Sequence, residues 1–363
     1  MVIAGAGLAG LCAAARAREL GAEPVVLEKG SRAGGSMLLS SGVVWRYRTF
    51  EEFRVQCPDG DERLQRLVFD ALDEGLEWLE SLGAPVLERE TGNPLTTGAR
   101  FDTQGLTDAL VRAAGQVRFG QGLGTVPGAW PEGTVVLATG GFQGDRELVQ
   151  RYVRPAAPLR VRANPWSSGD GLRAGLNQGA ALSDGLDEFY GRNMADVDFG
   201  EGELVSLAQV YGRYARIFSE RGEEFSDGHA VSWSELDLVQ ATAQQPGARA
   251  WYVLDERALE QRVRYGTVGE LVAHAPTRVE PEELPFPSPP GAVTAVRVAA
   301  AITHTIGGLR VDERARVLDT DGRPLDGLYA AGADAGGISA GGYASGLASA
   351  LVLGRAAAED ALR

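Results

Sequence analysis

Apolar residues come in short bursts at the start of the chain. Val2-Ile3-Ala4 reads as a strand, and Leu8 to Leu20 has helical character up to Gly21, a residue suited to a left-handed stop. Pro24 to Leu27 is a second strand, which closes a βαβ unit. From Glu62 to Leu82 apolar positions return at helical spacing, and a shorter helix is expected from Thr107 to Ala114. Thr134 to Ala138 reads as a buried strand halted by Gly140-Gly141. Gly169-Asp170-Gly171 then opens a helix toward Gly179.

The middle of the chain has another character. Residues 186 to 296 hold twelve of the 26 aromatic side chains, a higher density than the rest of the chain, together with Gln245-Pro246 and the proline-rich stretch Pro276 to Pro290. Beyond His304 glycine returns, with short strands at Leu309-Val311 and from Gly327 to Ala331, then a helix from Ser345. The pattern predicts an α/β protein: a Rossmann-type domain from residues 1–185 and 296–363, with an α+β cap inserted at 186–295.

Composition narrows the function classes. The chain has 363 residues, 44% hydrophobic and 23% charged, as in an ordinary globular protein. No apolar run reaches the length of a membrane span. The apolar stretch Met1 to Ala15 lacks the basic start of a leader peptide, so it is read as the first strand and turn, and a cytoplasmic location is expected. The net charge of −14 argues against a nucleic-acid partner, though a local pocket still admits an anionic substrate. Two cysteines, Cys12 and Cys57, and three histidines, His229, His274 and His304, supply no disulfide framework, zinc site, haem attachment or iron–sulfur cluster. Any redox centre is therefore expected to be organic, with no metal.

Gly5-Ala6-Gly7-Leu8-Ala9-Gly10 supplies the candidate chemistry. Placed after a strand and opening a helix, the first glycine allows a tight turn, the second lets a pyrophosphate approach the backbone, and the third packs helix on sheet. Glu28 ends the second strand where an acid accepts hydrogen bonds from an adenosine ribose. The residues after Glu28 favour FAD over a nicotinamide cofactor. Lys29, Ser31, the run Gly34-Gly35-Ser36 and then Ser40-Ser41-Gly42 suit a chain lying along a diphosphate, ribityl group and ring system.

Further motifs complete a pattern: Ala138-Thr139-Gly140-Gly141-Phe142, Ser168-Gly169-Asp170-Gly171, Ile217 to Asp227, His304-Thr305-Ile306-Gly307-Gly308-Leu309, and Gly327 to Asp334 with a closing glycine-rich turn. In this order and over nearly the whole chain, they resemble the flavoprotein family of fumarate reductases and 3-ketosteroid dehydrogenases. The resemblance implies that Ala138, Thr139, Gly140 and Asp170 belong to the cofactor site. It places Gly332, Ala333 and Asp334 near the ribityl chain and pyrophosphate. Ser345, Gly346 and Leu347 would set a helix N-terminus under the pyrimidine end, where unpaired N–H groups stabilise reduced flavin. Relatives with covalent flavin use a histidine beside the second glycine motif. This chain has Gly35-Ser36-Met37-Leu38 there, so noncovalent FAD is expected.

The dicarboxylate-binding residues of fumarate reductases do not carry over. No arginine occurs from His229 to Gln245, where Ser232 stands near the expected place, and none lies between Arg323 and Arg355. An upstream histidine is replaced near Tyr190-Gly191. The final turn, Gly342-Tyr343-Ala344-Ser345-Gly346, resembles instead the Gly-Tyr-x-Ser pattern of one ketosteroid dehydrogenase branch. A phenol donates to a substrate carbonyl or, ionised, takes the α-proton, while the β-hydrogen leaves as hydride. Tyr343 and His304 are the candidates, with Tyr190 and His229 from the cap side. Plainer roles stay open: Tyr343 as a cover for the flavin, Ser345 as a helix cap, Tyr190 as a packed aromatic and His229 as a solvated loop residue. The expected reaction is α,β-dehydrogenation of a ketone or related carbonyl compound, or the reverse C=C reduction, with an unnamed electron donor or acceptor. Alternatives are a reductase of an unsaturated carboxylic acid, a flavin monooxygenase or oxidase, and a protein in which FAD has no catalytic part.

Overall fold

A computed structural model describes residues 1–123, 133–227, 232, 234–263 and 266–363. Val2–Ala4 lies inside a six-stranded sheet, paired in parallel with Val25–Glu28 on one side and Val135–Leu137 on the other. Val117–Phe119 extends the first side in parallel. Pro324–Ala330 joins Val135–Leu137 in parallel, and Arg316–Leu318 closes that edge in antiparallel register. Ile3, Val26, Val135, Val136 and Leu137 are fully buried, as strands covered on both faces require. Residues from both ends of the chain therefore share one sheet.

The first helix, Leu8–Glu19, stops before Gly21, which adopts the left-handed conformation at φ +88°. Its small residues let the last helix, Gly346–Ala361, pack closely: a Cβ on Gly354 would stand 2.4 Å from the Ala9 carbonyl oxygen. The helix expected from Thr107 begins at Thr103, because the Asp102 carboxylate accepts from the Gly105 N–H at 2.6 Å and caps the earlier turn. The expected helix from Glu62 spans Glu62–Ser81, capped by Asp61. The Leu309-Val311 strand does not form: Leu309 makes isolated bridges to Leu182 and Ala335, and Val311 one to Val317. A small antiparallel sheet, Val43–Tyr47, Thr96–Phe101 and Val86–Glu88, has no counterpart in the periodicity of the sequence.

The chain divides into two compact units, one of residues 1–148, 164–188 and 304–363, the other of 149–163 and 189–303. The main segment of the second unit, 189–303, is shifted toward the C-terminus relative to the 186–295 read from composition, and it ends within the strand Thr294–Thr305. The unit also takes in 149–163, since Arg160–Val161 pairs in parallel with Ala301 and Ile302. Its seven-stranded sheet runs Glu224–Ser226, Arg216–Phe218, Arg249–Leu254, Thr294–Thr305, Arg278–Val279, with Arg160–Val161 and Phe189–Ala195 also on the long strand. Tyr211, Ile217, Tyr252, Val296 and Val298 form its core. No helix among the described residues is long and apolar enough to cross a membrane.

Candidate active site

The first glycine turn is built as the motif requires. Gly5 has φ +107°, and a Cβ there would meet the Ala138 carbonyl oxygen at 2.1 Å; one on Gly10 would meet the Gly5 oxygen at 1.9 Å. Gly7 differs, since a Cβ there would touch only the Gly35 Cα, at 4.0 Å. The space beside its backbone is open to a ligand. The Leu8–Glu19 helix has no side-chain N-cap and no acid in its first turn, so Leu8, Ala9 and Gly10 present free N–H groups and the positive end of the helix dipole. Glu28 is buried and closes the turn from the next strand, accepting from the Ala6 N–H at 2.8 Å and the Gly30 N–H at 2.7 Å. Each carboxylate oxygen keeps a lone pair for a ribose hydroxyl. An anionic dinucleotide fits this donor and acceptor set.

The second glycine stretch continues the cradle. Gly34 bridges to Gly7, and Ser36 accepts from the Asn164 N–H at 3.1 Å. Ser40 donates to the Met37 carbonyl and accepts from the Gly42 N–H, while the Ser41 carbonyl accepts from Arg100. Ser31 is exposed. Lys29, the only lysine in the chain, is ion-paired with Asp170 at 2.9 Å and donates to Ser168 at 2.6 Å. The sequence motifs assign both residues of the pair to the cofactor; here they tie the end of the second strand to the first turn of the helix Asp170–Asn177.

Asp334 is buried and its carboxylate turns inward. It accepts from the Thr139 N–H and hydroxyl and from the Gly141 N–H, and the Thr139 hydroxyl accepts in turn from the Gly171 N–H. Burial pushes its pKa up, and these hydrogen bonds hold it down. The group locks the turn Gly332–Asp334, with Ala333, onto Ala138-Thr139-Gly140. Gln143 stands just outside the motif Ala138 to Phe142 and Thr305 lies within His304 to Leu309, but neither motif singles out these side chains as site residues. Their Oε1 and Oγ1 atoms are buried without a hydrogen-bond partner among the described residues, and both lie within 3.0 Å of where a Gly141 Cβ would stand.

The final turn brings Tyr343 and His304 together, with ring centroids 5.8 Å apart. His304 is also close to Gly346, where a Cβ would fall 2.9 Å from its Cε1. Enclosure by protein lowers the imidazole pKa to about 4, so the ring is neutral at physiological pH. Ser345 caps the last helix, its hydroxyl accepting from the Ala348 N–H at 3.3 Å. With no acid in the first turn, the Gly346 and Leu347 N–H groups remain for a ligand. The loop is pinned at Gly341, whose N–H donates to the half-buried Glu188 carboxylate at 2.9 Å, and at Ala344, whose N–H donates to Ser339. On another side of the loop, the Trp45 ring meets the Tyr343 ring at 5.8 Å.

Of the other two candidates, one belongs to the second unit. Tyr190 is half-buried on Phe189–Ala195 in the second unit, with the Arg192 guanidinium 5.5 Å from its ring. Arg192 donates to the Ser234 carbonyl, and Arg213 to the Ser232 carbonyl at 2.9 Å, so two arginines from earlier in the chain reach the stretch that has none of its own. His229 lies outside the described residues.

The sheet and its two glycine turns define a dinucleotide-binding flavoprotein. The chain belongs to the FAD binding domain family, whose profile matches residues 1–127 and 132–349, and its cofactor is FAD. It is similar to the probable fumarate reductase Ifc3 of Shewanella frigidimarina (strain NCIMB 400), 24% identical over all of this chain and 74% of that one. The fold is shared with the 3-ketosteroid-delta4-(5alpha)-dehydrogenase of Rhodococcus jostii RHA1, solved with 4-androstene-3,17-dione, at a TM-score of 0.72 and 18% identity over 100% of this chain and 96% of that one. It is shared too with the 3-ketosteroid delta1-dehydrogenase of Sterolibacterium denitrificans, at a TM-score of 0.73 and 16% identity over 99% and 98%.

Proposed function

We propose that the protein is an FAD-dependent oxidoreductase that interconverts a saturated carbonyl compound and its α,β-unsaturated counterpart. The carrying observation is the Tyr343 phenol beside the neutral His304 imidazole, on a turn leading into an uncapped pair of helix N–H groups. FAD supplies the hydride chemistry when bound. It is held without a covalent bond, since Gly35-Ser36-Met37 offers no histidine for attachment. Tyr343 donates to the substrate carbonyl oxygen and so acidifies the α-carbon, whose proton leaves to a base while the β-hydrogen leaves as hydride. His304, neutral, offers a hydrogen bond rather than a positive charge, which suits an oxygen that gains charge only in the transition state. The absence of arginine between Arg323 and Arg355 favours a neutral ketone over a dicarboxylate at this turn.

A reductase of an unsaturated carboxylic acid is the second reading, supported by the similarity to a probable fumarate reductase. One screen separates them. The purified holoprotein is mixed anaerobically with saturated cyclic ketones, and after reduction with enones and with fumarate, while the flavin absorbance is followed. Bleaching by a ketone or reoxidation by an enone supports the main reading. Reoxidation by fumarate alone replaces it with the second.

A further inference from the structure

The strand Val43–Tyr47 presents alternate residues to the loop that carries Tyr343. Trp45 and Tyr47 share one face, and their rings meet edge to face at 5.3 Å. The Trp45 ring continues to the Tyr343 ring at 5.8 Å, and the Tyr47 hydroxyl donates to the Tyr343 carbonyl oxygen at 2.7 Å. One pair of side chains thus holds both the ring and the backbone of the same residue. Tyr47 is itself fixed, buried and packed on Phe53 at 5.5 Å. On its far side the loop is set by the Gly342 N–H on the Ser339 carbonyl and the Ala344 N–H on the Ser339 hydroxyl. Tyr343 sits between these anchors, where a few degrees of backbone rotation would swing its phenol by more than a hydrogen bond tolerates.

We propose that Tyr47 is a positioning residue, whose hydroxyl and Trp45-backed ring fix the Tyr343 phenol in its carbonyl-donating orientation. The proposal rests on the catalytic reading of Tyr343 for its meaning, but not for its measurement. Burial raises the Tyr47 phenol well above the ordinary tyrosine range, so it stays protonated and keeps donating at every pH the protein tolerates. A phenol–carbonyl hydrogen bond across nearly the whole chain is more than a surface loop ordinarily needs. It makes sense if the loop residue must not move.

The test is fluorine NMR of the full-length, FAD-loaded protein carrying 3-fluorotyrosine, with the Tyr343 signal identified by its loss in Tyr343→Phe. In Tyr47→Phe the Tyr343 signal is expected to broaden or split, and its ionisation midpoint to move by roughly half a pH unit or more as the ring samples other surroundings. Tyr47→His, which keeps a donor, should lie nearer the wild type. A Tyr343 signal unchanged in shift, width and midpoint in Tyr47→Phe overturns the proposal. So does loss of bound flavin or of cooperative unfolding in Tyr47→Phe, which would make Tyr47 a general structural residue. No turnover is read, so failure to oxidise or reduce any carbonyl compound counts against the proposed reaction and leaves this result standing.

Discussion

The Glu28 carboxylate and the Ala6 N–H meet at 2.8 Å across 22 residues of chain, joining the end of one strand to the turn that leaves its neighbour. A second N–H, from Gly30, takes the other carboxylate oxygen at 2.7 Å. The acid that would receive the ribose is therefore also the group that shapes the turn beside the pyrophosphate. If Glu28 holds the ribose, cofactor binding and local folding are coupled through one side chain.

Glu28→Ala should for that reason do more than remove a ribose contact. Two buried N–H groups would lose their acceptor, at about 1–3 kcal/mol each. FAD affinity should fall by on the order of tenfold or more, equivalent to about 1.4 kcal/mol, and the apoprotein should melt lower. Glu28→Gln keeps one acceptor and should be milder on both counts. Fluorescence titration with FAD, and thermal melts of the apo forms, read the two effects apart. Equal melting temperatures for wild type and Glu28→Ala would show that the turn holds without the acid.

Tyr343→Phe removes only the phenol hydroxyl. With a substrate found in the ketone and enone screen, kcat should drop by on the order of a hundredfold or more, while bound flavin and its spectrum stay as in the wild type. Turnover at the wild-type level would leave Tyr343 as a cover for the ring.

Much of the cofactor domain is legible in the residues. The βαβ start, the Glu28 acid and the last helix come from periodicity and from glycine positions that backbone geometry allows few other residues to fill. The small sheet bearing Trp45 and Tyr47 is not legible, because its strands are short and mixed in polarity, and the one that bears these two rings pairs across some fifty residues, which no local pattern records. The motif places Asp334 at the cofactor because motifs give positions and not directions; its carboxylate turns inward to Thr139 and Gly141. The Arg192 and Arg213 contacts with Ser232 and Ser234 are hidden for a related reason. A guanidinium reaches far enough that its sequence position says little about where its charge lies.

Asp334→Ala tests the inward carboxylate. It would strand the Thr139 N–H and hydroxyl and the Gly141 N–H together, a loss of about 3 kcal/mol or more of stability in a buried site. Asp334→Asn, nearly isosteric, should retain part of it. Denaturant unfolding of both variants checks the order. If the two variants are equally stable, an uncharged acceptor at this position contributes little.

Gly346→Ala probes the approach of the last helix to His304. The new methyl would stand 2.9 Å from the imidazole Cε1, so the ring or the helix start must shift. The expected outcome is a protein that still binds FAD but turns over any identified substrate more slowly, with kcat reduced by on the order of tenfold. Unaltered kcat would mean that His304 is not held to a narrow position.

His304 gives the pH dependence a definite sign. Its folded pKa lies near 4, below the ordinary value of 6.5, because enclosure disfavours the imidazolium. The unfolded chain therefore binds the proton more readily, and the group's contribution to stability is complete above about pH 6.5 and lost as the pH falls toward 4. The slope in that window should approach about 1.4 kcal/mol per pH unit from this residue. His304→Gln removes the titration, so the difference between wild type and variant in unfolding free energy should grow from pH 4.5 to pH 6.5 and then stay level. Parallel curves over that range would mean that the folded imidazole keeps its ordinary pKa of about 6.5 and is solvated rather than enclosed.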